Sequence, residues 1–179
     1  MPEQSSAKPS FGLETLATLP QLLANSVERY GNREALRQFD KETKTWRSLT
    51  YAQLMVRIIE WRRAYAAMNL ERGTRIGILM PNCIDHACAD QAALANGLVP
   101  VPLHAIDTPG ASAFILADSQ AKILVTNKLA RWKQISAVGT NLPSLKTVII
   151  TEDDINDDAP MIRSLTEWLA AGKQTIELP

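Results

Sequence analysis

Strand-type and helix-type segments alternate through the second half of this chain, and no other feature limits its possible folds as strongly. Short runs rich in Val, Ile and Leu lie at residues 75–80, 98–103, 122–126 and 147–151. Apolar residues at helical spacing lie between these runs and after the last one. Strands separated by helices pair in parallel, with the helices packed across the faces of the sheet. We therefore expect an α/β fold with a mostly parallel sheet flanked by helices.

The residues before this alternation predict a helix and an N-terminal β-hairpin. Apolar residues recur at helical spacing over residues 16–30, and the Gly-Asn pair at 31–32 then ends the helix. Residues 35–40 and 45–49 have strand character and bracket a short polar turn, which is the pattern of a hairpin.

A second helix follows the hairpin directly. Thr50 and Gln53 have the spacing of a capping box, so the helix is expected to begin at Tyr51 and to end near Asn69. Its apolar positions form one face, and its arginines are expected to be available to solvent: Arg57, Arg62 and Arg63.

Several positions later in the chain carry more specific expectations. Asn82 is expected to cap a helix, and Pro109 stands where the first residue of another helix would be. Pro100 and Pro102 lack N–H groups on the same side of one strand, so that strand should lie at a sheet edge or be distorted. A last helix is predicted to contain Ile162, Leu165, Trp168 and Leu169 and to end at Gly172.

Length and composition favour one globular domain. The 179 residues exceed what one core needs but are too few for two ordinary domains, so we expect a flexible segment at residues 1–15 and one α/β unit at 16–179. Basic and acidic residues balance at 19 each and are scattered, which argues against a nucleic-acid partner. No apolar run approaches the roughly 20 residues of a membrane span, and no signal peptide is recognisable, so a cytoplasmic location is the default expectation.

Cysteines and acidic residues give no strong sign of a metal site. Cys83 and Cys88 have neither a second pair nor a histidine cluster, and are interpreted as buried free thiols. The acidic stretch at residues 152–158 lacks the glycine and the terminal glutamate of a calcium loop, so a solvated loop is the simpler interpretation. We predict no metal ligand.

Ligands of open α/β sheets bind outside the carboxyl ends of the strands. The loops expected there are residues 81–82, 104–108, 126–128 and 152–158, and none is a glycine-rich phosphate cradle. His104 has no partner with triad spacing, so it is either a ligand contact or an ordinary loop residue. Arg131 and Lys133 are either phosphate contacts or solvated helix charges.

Three segments together resemble a known family. They are SLTYAQL at residues 48–54, MPN at 80–82 and ALANGLVPVPL at 93–103. The first and third resemble the first two signature motifs of the adenylate-forming, or AMP-dependent, synthetases and ligases, which include acyl-CoA synthetases, aryl-CoA ligases, luciferases and peptide-synthetase adenylation domains. The VPVPL run and the following Pro-Gly-Ala at 109–111 look most like the fatty acyl-CoA synthetase branch. The resemblance extends over nearly the whole chain from residue 16.

The resemblance implies a reaction in two halves. A small-molecule carboxylic acid, a fatty acid in this branch, reacts with ATP and Mg²⁺ to give an acyl-adenylate, and CoA then displaces AMP. The phosphate loop and the later motifs of the family have no match in these residues, so the resemblance assigns no catalytic residue here. By comparison with acetyl-CoA synthetase relatives, it places His104, Ala105, Arg131 and Lys133 beside the CoA channel.

Two explanations of this pattern remain open. In the first, the chain is the N-terminal part of the large domain of a carboxylate–CoA ligase, inactive alone and prone to self-association through surface exposed by truncation. In the second, it is a stand-alone, non-catalytic binding or docking module derived from the same fold. An unrelated receiver-like domain would need an acidic pocket after its first strand, which residues 80–82 do not provide.

Overall fold

A computed structural model describes residues 17–152, 155, 159–174 and 178. The first elements are helix α1 (Leu19–Tyr30), strands β1 (Glu34–Asp40) and β2 (Thr45–Thr50), and helix α2 (Tyr51–Ala66). Next come β3 (Arg75–Leu79), α3 (Ile84–Ala95), β4 (Val99–Leu103), α4 (Pro109–Asp118), β5 (Ile123–Thr126) and α5 (Leu129–Ser136). The last are β6 (Thr147–Ile150), β7 (Ile162–Ser164) and α6 (Leu165–Gly172).

The predicted α/β architecture is confirmed. Five strands form a parallel sheet in the order β4-β3-β5-β6-β7, and β1 and β2 form a separate antiparallel hairpin. Ile123 and Val125 of β5 belong to a core shared with α2, α3 and α6, whereas Leu124 belongs to a core shared with α4 and α5. Because side chains alternate along a strand, each face of the sheet thus has its own helical layer. Across the described residues, no helix combines the length and apolar character needed to cross a bilayer.

The edge position of β4 is also confirmed. The Val99 N–H donates to the Thr74 carbonyl on the β3 side, at 2.9 Å. Residues alternate in direction, so Pro100 and Pro102 point their nitrogen atoms to the free edge, where a ladder would need N–H groups. That edge therefore offers carbonyl oxygens but no donor at these two positions.

Helix starts follow local capping chemistry. The Thr50 hydroxyl accepts from the Gln53 N–H and the Gln53 side chain accepts from the Thr50 N–H, so α2 begins at Tyr51 as predicted. Thr108 caps α4, and Pro109 is its first residue, also as predicted. Helix α1 begins at Leu19 after a Thr18 cap, and the predicted start at Leu16 lies outside the described residues.

The expectation that Asn82 caps a helix is wrong. Helix α3 begins one residue later, with Cys83 as its cap, and the Cys83 sulfur accepts from the His86 N–H at 3.4 Å. The Ile84 N–H donates to the Gln38 side chain at 2.9 Å. The hairpin therefore satisfies a helix donor that local residues leave free.

The end of the chain differs from prediction as well. Ile162 was expected in the last helix, but it lies in β7, which pairs with β6 through Val148. Helix α6 begins only at Leu165, because Ser164 and Glu167 form a capping box. This capping box can be recognised in the sequence, and it starts the helix after Ile162 even though Ile162 has helical spacing with the apolar residues of α6.

Helix α2 is shorter and its arginines are less exposed than expected. It ends at Ala66, and Asn69 has a positive φ of 49° in the following turn. Arg57 pairs with Asp85 at 3.0 Å, and the Arg62 Nε donates to Asn96, because α3 packs beside this face. Arg63 is exposed, as predicted.

Candidate functional site

The carboxyl ends of four strands meet at one edge of the sheet. Leu79 is the register partner of both Leu103 and Thr126, and Thr126 is the partner of Ile150. The loops that follow β3, β4, β5 and β6 therefore start side by side. This is the edge at which open α/β sheets bind ligands.

Two of these loops are joined by a side chain predicted to be functional. The Arg131 guanidinium donates to the Ala105 carbonyl at 2.8 Å, which ties the first turn of α5 to the loop after β4. That loop contains a turn in which the Asp107 N–H donates to the His104 carbonyl. His104 and Lys133 are exposed, while Arg131 and Ala105 are half-buried. The structure thus brings Ala105 and Arg131 together, with His104 adjacent in the loop.

A polar cluster that sequence reasoning did not single out lies at the ends of β5 and β6. The hydroxyl oxygens of Thr126 and Thr151 and the side-chain oxygen of Asn127 are buried without a hydrogen-bond partner. A buried polar atom without a partner costs roughly 1–3 kcal/mol. The sequence did contain a signal for this cluster, because Thr and Asn stand at the ends of apolar strands, where another hydrophobic residue would normally be found.

Glu152 organises the rim of this cluster. Its carboxylate accepts from the Asn127 side-chain amide at 3.2 Å and pairs with the Lys128 ammonium at 3.5 Å. The Glu152 N–H donates to the Asn127 carbonyl. The neighbouring acidic positions 153, 154, 157 and 158 lie outside the described residues, so the solvated-loop interpretation of residues 152–158 stays a prediction.

The loop after β3 contributes a thiol, and the first turn of α3 contributes a carboxylate. Burial raises the pKa of Asp85, an effect that Arg57 and Arg47 partly oppose. Burial also raises the pKa of the Cys83 thiol and raises that of Cys88 to about 12. Cys88 is buried and Cys83 is half-buried, and both are free thiols, so neither is activated as a nucleophile.

The site has the character of a binding surface. Among the described residues, no group of three or more His, Cys, Asp or Glu side chains is arranged to hold a metal ion. The described loops between strand and helix contain no glycine, and Gly110 stands inside α4. Since phosphate cradles depend on glycines at that position, these loops do not supply one.

Two concavities lie elsewhere on the surface. One of about 100 Å³ lies near Arg72 and Lys122 at the amino ends of the strands. The other, of about 430 Å³, lies between α2 and α6 and includes Arg63 and Leu169. Neither includes a loop of the carboxyl edge. The strand ends and the orphaned polar atoms identify the candidate site.

Comparison with known proteins agrees with this topology. A family model described as AMP-binding enzyme matches residues 23–174. A long-chain-fatty-acid–CoA ligase, ACSBG2, of Xenopus laevis is 26% identical over 156 residues, which is 87% of this chain and 21% of the relative. The ligase ACSBG1 of Bos taurus is 23% identical over 92% of this chain and 22% of its own length. The chain thus spans about a fifth of the length of these curated relatives.

Solved structures share the fold. The anthranilate CoA ligase AuaEII, crystallised with anthranoyl-AMP, superposes with a TM-score of 0.74 at 18% identity, over 89% of this chain and 29% of that one. A Mycobacterium tuberculosis fatty acyl CoA synthetase gives a TM-score of 0.67 at 20% identity, over the same two shares. The resemblance to adenylate-forming ligases is confirmed, and its fatty acyl branch is represented among the relatives. With the family model matching more than half of its length, this chain belongs to the family of AMP-binding enzymes.

Proposed function

We propose that this chain forms the N-terminal part of an ATP-dependent carboxylate–CoA ligase that acts on fatty acids. Such an enzyme joins the acid to AMP with release of pyrophosphate and then transfers the acyl group to the thiol of CoA. Family membership supports the ligase class, and the names of the long-chain-fatty-acid–CoA ligase relatives support the acid and the acceptor. A cytoplasmic location is part of the same proposal.

The bond between Arg131 and Ala105 carries the assignment of these residues to CoA binding. It fixes the loop after β4 against the first turn of α5, so that His104 and Arg131 lie at one edge, while Lys133 stands in the last turn of the same helix. An exposed Lys133 and a half-buried Arg131 suit the phosphate groups of CoA, because both donate charge-assisted hydrogen bonds to phosphate oxygens. CoA would supply the thiol that accepts the acyl group.

The described residues do not fit the triphosphate of ATP. Their strand-to-helix loops have no glycines whose absence of Cβ would let backbone N–H groups approach phosphate. We therefore assign ATP and Mg²⁺ to residues of the parent protein other than these. A polypeptide of only these 179 residues is then expected to form no acyl-adenylate and to bind CoA weakly.

Binding to this chain is tested by titrating it with CoA and with dephospho-CoA while recording amide NMR spectra. We expect shifts at His104, Ala105 and Arg131, and weaker binding of the analogue without its 3′-phosphate. Lys133→Glu should remove that difference, whereas Lys173→Glu, at an exposed position after α6, should keep it. If the unsubstituted chain binds CoA and dephospho-CoA equally well, the proposal that its cations contact the CoA phosphate is refuted.

Activity is tested with the full-length product of the same gene. Fatty-acid-dependent exchange of pyrophosphate into ATP, followed by CoA-dependent AMP release, is the expected result. If a full-length product lacks both reactions while the chain still folds, the non-catalytic docking module is the better explanation.

A further inference from the structure

A small polar concavity lies at the amino ends of β3 and β5, on the edge of the sheet opposite the candidate site. Its volume is about 100 Å³. Pockets for whole cofactors or drug-sized ligands hold about 300–1,000 Å³, so this one suits a group of only a few atoms. Its charged lining residues are Glu71, Arg72, Arg75 and Lys122. We call it the amino-edge concavity.

The lining of the amino-edge concavity is positive in a chain whose net charge is zero. Three cations face one carboxylate, which leaves an excess of two positive charges. None of the salt bridges in the described part of the chain involves any of these four residues. The side chains of Arg72 and Lys122 also make no hydrogen bond to a described residue. Their donors are therefore available to a bound group.

Arg75 is held in a fixed orientation beside the concavity. Its Nε donates to the Ser119 carbonyl at 2.6 Å, and its Nη2 donates to the Gln120 side chain at 2.9 Å. Gln120 has a positive φ of 54°, a backbone region in which Gly or Asn is more usual. The chain thus places a side-chain amide where glycine would fit with less strain. The Nη1 of Arg75 has no partner among the described residues.

Arg72 is positioned by a glycine. A Cβ added at Gly97 would lie 2.9 Å from the guanidinium carbon of Arg72, so the guanidinium lies directly against the Gly97 backbone. The Gly97 carbonyl also accepts from the Gly73 N–H at 2.8 Å, which ties the loop before β3 to the turn after α3. Two guanidinium groups are therefore in place before any ligand arrives.

We propose that the amino-edge concavity binds a single phosphoryl group, either as inorganic phosphate or as a phosphate monoester. The guanidinium groups of Arg72 and Arg75 match the spacing of phosphate oxygens, and the Lys122 ammonium adds a compact charge. Glu71 fits the same ligand, because a protonated phosphate oxygen can donate to a carboxylate. The proposal concerns binding at the amino edge and does not rest on the proposed ligase activity.

The test is a titration of the chain with inorganic phosphate and, separately, with glycerol 3-phosphate, at an ionic strength held constant with sodium chloride. Amide NMR spectra should show saturable shifts at Gly73, Thr74 and Lys122. The compound that binds more tightly identifies the free anion or the ester as the source of the phosphoryl group. Arg72→Gln and Lys122→Gln should each weaken binding at least fivefold, with an unchanged thermal midpoint in the absence of phosphate.

Lys146→Gln is the matched control. Lys146 stands directly before β6 at the same edge of the sheet, but it does not line the concavity, and its ammonium donates to the Pro143 carbonyl at 2.8 Å. The substitution removes the same charge as Lys122→Gln. We expect it to bind phosphate within twofold of the unsubstituted chain.

Three outcomes would overturn the inference. One is the absence of saturable shifts at these amides with either compound, and another is the same shifts with sodium chloride alone. The third is an equal loss of binding in Lys122→Gln and Lys146→Gln, which would indicate general attraction to a positive edge. The proposed CoA contacts are read at His104, Ala105 and Arg131 on the opposite edge, so failure of one proposal is distinguishable from failure of the other.

Discussion

Trp168→Ala is predicted to be among the most damaging single changes to this fold. Trp168 lies on α6 and is 1% exposed, and it packs edge-to-face against Trp61 and Tyr65 of α2 at centroid distances of 5.3 and 4.8 Å. Its indole N–H also donates to the Met68 sulfur at 3.3 Å. Replacing a buried Trp by Ala costs about 3–5 kcal/mol, which includes the cavity left behind.

We therefore expect a loss of about 4 kcal/mol in the free energy of unfolding, within the Trp→Ala range. For a domain of this size that equals a fall of about 8–16 °C in the midpoint of thermal unfolding. The assay is urea and thermal unfolding followed by far-ultraviolet circular dichroism, which does not depend on tryptophan emission.

Trp46→Ala is the matched control. That side chain is 63% exposed and loses mainly its pairing with Phe39, worth about 1 kcal/mol. If the two variants lose equal stability, or if Trp168→Ala loses less than about 1.5 kcal/mol, well under the usual cost of such a cavity, the proposed packing of α6 on α2 is refuted.

Three further changes test other features. Gly172→Ala should destabilise by about 1–3 kcal/mol, because its Cβ would lie 2.5 Å from the Ala64 nitrogen, whereas Gly110→Ala has open space and should stabilise; thermal unfolding compares the two. Cys83→Ala should lower stability by about 0.5–1 kcal/mol because it removes a helix cap, while Asn82→Ala should show no such loss in the same melts. If Asn82→Ala were the more destabilising of the two, Asn82 would be the cap of α3, as the sequence suggested. Burial raises the pKa of Asp85, so the folded state holds its proton more tightly, and stability falls as pH rises through the range between the unfolded and folded pKa values. Urea unfolding at several pH values should show that the stability of Asp85→Asn increases relative to that of the unsubstituted chain as pH rises. A stability difference that does not change with pH would contradict this.

Much of the fold followed from local sequence rules. The alternation of strands and helices, the capping box at Thr50 and the proline edge of β4 all depend on neighbouring residues, and the structure contains each of them. Where prediction failed, contacts from distant parts of the chain decided the outcome. The start of α3 is shaped by Gln38 of the hairpin, and Arg57 is drawn from solvent by Asp85.

The candidate site was predictable in position but only partly in composition. Parallel strands require their carboxyl ends to meet, which placed the loops correctly. The bond between Arg131 and Ala105 and the buried oxygens of Thr126 and Thr151 depend on the exact approach of α5 and β6. Sequence spacing carries no information on that approach, so these contacts appear only in three dimensions.

The two prolines of β4 make one edge of the sheet a poor template for another strand. An arriving strand finds no N–H donors at Pro100 and Pro102, so pairing along that side would leave its own carbonyl groups without partners. At the opposite side of the sheet, the Ile162 N–H already donates to the Ala159 carbonyl and the Ser164 N–H to the Glu167 side chain. The outermost described strands on both sides therefore lack a regular row of free N–H donors, and neither is a good template for pairing with a misfolded neighbour.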